Sequence, residues 1–142
     1  MVRILIVEAR FYPEIADEML LGARAALDAA GARHETVTVP GALEIPIAIR
    51  RCLGQADGFV ALGCVIRGET SHYDIVAGES ARGLMTLGIE SGIAIGNGIL
   101  TCDNWDQAMA RAKVDGEHNK GGGAANACLS LLSIANKTGE RL

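Results

Sequence analysis

A chain of 142 residues that is 49% hydrophobic but only 4% aromatic is the size of one ordinary domain, 1–142, with a core of Ala, Val, Ile and Leu, the filling typical of helices packed on a parallel sheet. Its net charge of −4 argues against a nucleic-acid partner, whose phosphates demand a basic face. No apolar run reaches the ~18 residues of a membrane-spanning helix, and "MVRILIVEAR" enters a strand without a signal peptide's cleavage region, so a cytoplasmic chain with no membrane partner is expected.

"RILIVEA" is a continuous apolar run bounded by the turn-prone "RFYPE", which fits a strand buried on both faces. From Ile15 to Ala30 apolar and small residues recur at helical spacing, and Gly31 supplies a stop. "HETVTVP" is a short strand ended by Pro40. "GALEIPIAIRRCL" reads as a helix in which Pro46 implies a first-turn position. "GFVALGCVI" is the third strand, a helix runs from about His72 to Ser91, and "IAIGNGIL" is the fourth strand. Asp103 or Asn104 caps a helix over "WDQAMARAK". A last helix covers about Gly122 to Ala135, and "NKTGERL" is expected to fray.

Strands alternating with helices demand right-handed crossovers and a parallel sheet covered on both faces, here with about four strands. In open sheets of this kind ligands sit outside the carboxyl ends of the strands. That rule selects Ala9–Tyr12, Pro40–Glu44, Cys64–His72 and Gly96–Thr101. The cysteines Cys52, Cys64, Cys102 and Cys128 form no C-x-x-C pair, and His34, His72 and His118 lack ligand spacing. Reduced thiols and no metal site are expected.

Within those segments Phe11 is a stacking ring or a helix-packing aromatic. Glu44 starts a helix, where the dipole alone rewards a carboxylate. "RGETSH" says more. Gly68, Glu69, Thr70 and Ser71 precede a helix, so their N–H groups form an anion site, with Thr70 or Ser71 as N-cap and His72 beside it as a base. "GNGILT" lacks the third glycine of a dinucleotide fingerprint, and "NKGGGAA" has its lysine before the glycines, unlike a P-loop. The residues alone describe a site for a small, phosphorylated, partly flat ligand.

Together "VPGALEIP", "GCVIRGETSHYD", "GNGILTCDNWDQA" and "NKGGGAA", in this order over nearly the whole chain, resemble the lumazine synthase family. The resemblance implies a flavodoxin-like three-layer α/β/α sandwich around a four-stranded parallel sheet. It implies condensation of 5-amino-6-ribitylamino-2,4-pyrimidinedione with 3,4-dihydroxy-2-butanone 4-phosphate, giving 6,7-dimethyl-8-ribityllumazine, phosphate and water, with no cofactor. It also implies a homopentamer with active sites between neighbouring subunits. By this resemblance Phe11 stacks on the pyrimidine, and Ala42, Leu43 and Glu44 hold the ribityl chain. Val65 and Ile66 meet the heterocycle, Glu69 and Thr70 offer amides to the phosphate, and His72 transfers protons. Lys120 reaches the ribityl chain from the adjoining subunit. Asn97 stands where many members place a phenylalanine over the ring, and Tyr12 where many have asparagine. Arg111, the candidate phosphate ligand, lies eight residues before Asn119 rather than seven, with Lys113 as the other basic side chain of that segment. The turn "KVDGEHNKG" is one residue longer than in shell-forming members, which implies a particle short of an icosahedral shell.

Overall fold

The computed structural model describes the backbone of residues 1–141 and the side chains through Ile134. Strands and helices alternate as β1 (Arg3–Ala9), α1 (Pro13–Ala29), β2 (Arg33–Val39), α2 (Glu44–Arg51), β3 (Gly58–Ile66), α3 (His72–Ser91), β4 (Ala94–Cys102), α4 (Trp105–Ala112) and α5 (Lys120–Arg141). The strands pair in parallel in the order β2-β1-β3-β4. Strand order therefore reverses between β1 and β3, the switch point of a flavodoxin-like sheet.

Strand alternation splits the core into two clusters. Ile4, Ile6, Val60 and Leu62 face α1, α4 and α5, and Leu5, Val7, Phe59 and Ala61 face α2 and α3. The expected three-layer sandwich is the observed one.

Local chemistry sets the element ends. Pro13 begins α1, where its missing N–H costs nothing. Gly31, at φ 73°, ends it: the Gly31 N–H donates to the Asp28 carbonyl and the Ala32 N–H to the Leu27 carbonyl, both at 3.0 Å. Pro46 does lie in the first turn of α2. That helix starts at Glu44 rather than Gly41, because residues 41–44 close as a tight turn, with Glu44 N–H on the Gly41 carbonyl at 3.1 Å. Asn104 is the α4 cap, its side chain accepting from Gln107 N–H at 2.8 Å.

β4 and α5 also differ from the sequence reading at their ends. β4 runs on to Cys102 because β3 reaches Ile66 and pairs with it. α5 starts at Lys120 and continues through Arg141 instead of fraying after Ala135; once a helix is nucleated, each added residue gains a bond for one residue fixed. Leu142 lies outside the described residues.

The two glycine clusters meet each other. A Cβ on Gly96 would lie 1.8 Å from the Ala124 carbonyl oxygen, and one on Gly121 would lie 2.1 Å from that of Met19. Only hydrogen fits at either place. "GNG" and "NKGGGAA" are thus the surfaces by which β4 lies against α5, and α5 against α1.

Candidate active site

At the carboxyl ends of β1, β2 and β3 the α2–α3 face opens into a cavity of ≈ 530 Å³. Phe11, Ala42, Leu43, Glu44, Val65, Ile66, Thr70 and His72 all line it. Glu69 sits in the same loop, between the lining residues Gly68 and Thr70. A second cleft, of ≈ 370 Å³, lies at the amino ends of β1 and β2 among Arg3, Arg33, His34 and Gln55, and contains none of the expected site residues.

The β1–α1 turn presents Phe11, a residue 75% exposed whose ring meets Tyr12 edge-on, 5.0 Å between centroids. Such exposure rules out the helix-packing alternative. The ring is an apolar surface without a cover. Opposite, the 41–44 turn brings Glu44 to the start of α2, where its carboxylate gains from the helix dipole. Among the described residues nothing donates to or pairs with that carboxylate, so it is free to accept from a ligand's hydroxyl groups.

The loop from Arg67 to Ser71 is pinned from its first residue. Arg67 N–H donates to the Cys102 carbonyl at 2.9 Å. Its guanidinium spans Asp103 at 3.4 Å and Asp74 at 3.5 Å and lies 4.3 Å from the Tyr73 ring centroid. Ser71 takes the N-cap position of α3 without a side-chain bond. The Thr70 hydroxyl accepts from His72 N–H at 3.2 Å instead. The N–H groups of Gly68, Glu69, Thr70 and Ser71 find no acceptor among the described residues, an arrangement that suits an anion at a helix start. His72 is the first residue of α3, exposed beside that loop.

Cys64 also lines the cavity, but burial, aided by Cys102, pushes its thiol up to about 12. It stays protonated near neutral pH and is no nucleophile. Burial, with Cys64 close by, likewise raises the pKa of Tyr12.

Three expected residues are not brought to this cavity. Asn97 is exposed on β4, its side-chain oxygen accepting from Ile99 N–H at 2.9 Å. Arg111, on α4 across the sheet, donates to the Gln107 carbonyl at 2.9 Å. Lys120 is exposed at the start of α5. Conversely, Glu8 and Arg10, which the sequence reading passed over, form an ion pair beneath the Phe11 turn at 2.9 Å. The available signal was a lone carboxylate inside "RILIVEA".

Comparison with known proteins gives the chain's family. The family described as 6,7-dimethyl-8-ribityllumazine synthase matches residues 1–136. The 6,7-dimethyl-8-ribityllumazine synthase of Methylorubrum populi is 61% identical over 139 residues, covering 93% of this chain and 82% of its own. That of Methylobacterium radiotolerans is 62% identical over 134 residues, covering 93% and 81%. The 6,7-dimethyl-8-ribityllumazine synthase 1 of Rhizobium meliloti is 58% identical over 145 residues, covering 97% and 94%. With cavity, sheet order and near-full-length matches in agreement, the chain belongs to the 6,7-dimethyl-8-ribityllumazine synthase family.

Proposed function

We propose that the cavity between Phe11, Glu44 and His72 is where this chain makes 6,7-dimethyl-8-ribityllumazine. Family membership carries the reaction: the chain is a transferase of riboflavin biosynthesis that condenses 5-amino-6-ribitylamino-2,4-pyrimidinedione with 3,4-dihydroxy-2-butanone 4-phosphate. The observation that carries the placement is a single cavity edged by a bare aromatic ring, an unpaired carboxylate, a loop of free N–H groups and a histidine.

Each group has a task. Phe11 stacks on the flat pyrimidinedione, with the Val65–Ile66 strand end along the ring's edge. Glu44, with Ala42 and Leu43 beside it, accepts from the ribityl hydroxyls. The N–H groups of Glu69 and Thr70 hold the phosphate. Held this way, the amine and the ketone meet in one orientation, and proximity supplies much of the acceleration. His72 moves protons as the amine adds to the carbonyl and a first water leaves to give the imine, as phosphate leaves, and as ring closure expels a second water. The steps balance without electrons from outside, so the reaction calls for no redox cofactor.

Asn97, Arg111 and Lys120 then belong to the cavity of a neighbouring copy, in a homopentamer. Ile75, Met85 and Ile89, exposed along one side of α3, offer an apolar face for that contact. The chain works as one domain over 1–142, in the cytoplasm, where its four free cysteines remain reduced.

Co-expressing a His72→Ala chain with a Lys120→Ala chain tests the shared site. Random mixing restores roughly a quarter of the sites to two intact halves, so activity should exceed that of either variant alone, in a particle with the mass of five chains. Activity no higher than the mean of the two variants, or a fully active particle of one chain's mass, contradicts the reading.

A further inference from the structure

Glu8 is only 3% exposed, in a strand whose neighbours Leu5, Ile6, Val7 and Ala9 are aliphatic. An ionised carboxylate in such a place is costly unless its oxygens are engaged. Both are. The Thr38 hydroxyl of β2 donates to one at 2.7 Å, and Arg10 Nη1 donates to the other at 2.9 Å. The second guanidinium nitrogen of Arg10 reaches forward to Asp17 on α1 and to the Pro13 carbonyl at 3.5 Å. One side chain thus spans the β1–α1 turn, while Glu8 ties that span to β2.

Phe11 is the residue the turn carries into the cavity, and neither Glu8 nor Arg10 lines that cavity. With three quarters of its surface exposed and Tyr12 as its ring contact, Phe11 is not held by packing. The ring's position is set by the backbone of the turn, and the backbone by what grips it. A loosely held ring would lose freedom on binding and weaken the complex by that amount.

We propose that Glu8 and Arg10 are positioning residues: the hydrogen-bond chain Thr38–Glu8–Arg10–Asp17 presets the Phe11 turn for the flat heterocycle of the pyrimidine substrate. The inference rests on reading Phe11 as the stacking partner of that substrate.

Steady-state kinetics of Glu8→Gln, Arg10→Gln and Phe11→Ala, with the double variant Glu8→Gln/Phe11→Ala, test it. Glu8→Gln and Arg10→Gln should raise KM for the ribitylaminopyrimidine about tenfold, a change of about 1.4 kcal/mol. Both kcat and KM for the butanone phosphate should stay within about twofold, the split expected when only ground-state positioning is lost. In the Phe11→Ala background Glu8→Gln should add nothing, because no ring remains to be placed. Full additivity in the double variant, an unchanged pyrimidine KM in both clamp variants, or equal losses for both substrates would overturn the proposal. If Phe11→Ala alone leaves pyrimidine KM unchanged, it is the stacking role that falls. Should Glu8→Gln fail to fold, Arg10→Gln, on a half-buried side chain at the surface, and its double variant with Phe11→Ala carry the same comparison.

Discussion

On the α1–α5 face of the sheet, backbones approach until only glycine fits between them, whereas on the α2–α3 face the strand ends and helix starts stand apart around a cavity of ≈ 530 Å³. Both faces carry short polar, glycine-bearing stretches, and "GNG" or "NKGGG" looks as much like a ligand loop as "RGET" does. The difference is what the N–H groups and side chains meet. At Gly96 and Gly121 the backbone lies so close to the carbonyls of Ala124 and Met19 that no side chain fits; between Gly68 and Ser71 the N–H groups find no acceptor among the described residues. One face holds the molecule together, and the other is left free to bind.

The sharpest way to break the first face is Gly96→Ala. The new methyl would have to displace the Ala124 backbone, which no rotamer change can relieve, so stability should fall by about 3 kcal/mol, the upper end of ordinary overpacking, read as a lower midpoint in urea. An unchanged midpoint would show that α5 can slide on β4, and the contrast between the faces would lose its basis.

Glu44→Ala probes the second face. Losing hydrogen bonds to a charged acceptor costs about 1.5–3 kcal/mol, hence a pyrimidine KM raised roughly 10- to 100-fold with a smaller change in kcat, because those bonds form before the chemistry. Stability should fall by no more than about 0.3–1 kcal/mol, the share of the α2 dipole, since among the described residues no group pairs with that carboxylate. A variant that lost stability but kept its KM would make Glu44 a fold residue.

A pH titration probes two thiols that both pack on the α1–α5 side of the sheet, Cys128 deep in it and Cys64 at its strand end. Burial pushes Cys128, on α5 and packed at Gly58, up to about 11 and Cys64, at the cavity, up to about 12. The folded chain keeps these protons at pH values where unfolded thiols, at roughly 8.5, have lost them. Stability from this source is therefore complete below about pH 8.5 and falls as pH rises through 11 to 12. Melting temperatures taken upward from pH 8.5 should decline less steeply in Cys128→Ala and Cys64→Ala than in the parent chain. Identical slopes would mean that these thiols do not remain protonated in the fold.

The smallest expected effect is a gain. A Cβ at Gly123 meets nothing within 4 Å, so Gly123→Ala should stabilise the helix by about 0.5–1 kcal/mol. Beside Gly121, two residues earlier, it separates a glycine required by contact from one that is merely tolerated; a destabilised Gly123→Ala would erase that distinction.

Much of this was legible in the chain itself. The apolar runs marked β1, β3 and β4, Pro40 marked the end of β2, and the rule that ligands collect at strand ends pointed to Phe11, Glu44 and the "RGETSH" loop before any contact was known. Element ends were less legible, because β4 stops where β3 stops pairing with it, and α5 extends by propagation rather than by a signal in "NKTGERL". Whether Phe11 was packed or bare depended on neighbours that no local pattern names. The glycine clusters required knowing that residues 96 and 124, or 19 and 121, come together. Glu8 was visible as an oddity in its strand, but its partners Thr38 and Asp17 lie on other elements. Asn97, Arg111 and Lys120 lie apart from the cavity within one chain, so the packing of that chain alone gives them no role.

The division between a binding cavity and a structural face is tested most directly by steady-state kinetics of His72→Ala with both substrates. On the proposed reading His72 contributes proton transfer and no grip on the ring, so kcat should fall by roughly 10²–10⁴-fold without vanishing, while KM for the pyrimidine and the melting temperature stay close to those of the parent chain. A variant that turns over at the parent rate but binds the pyrimidine poorly would contradict the account.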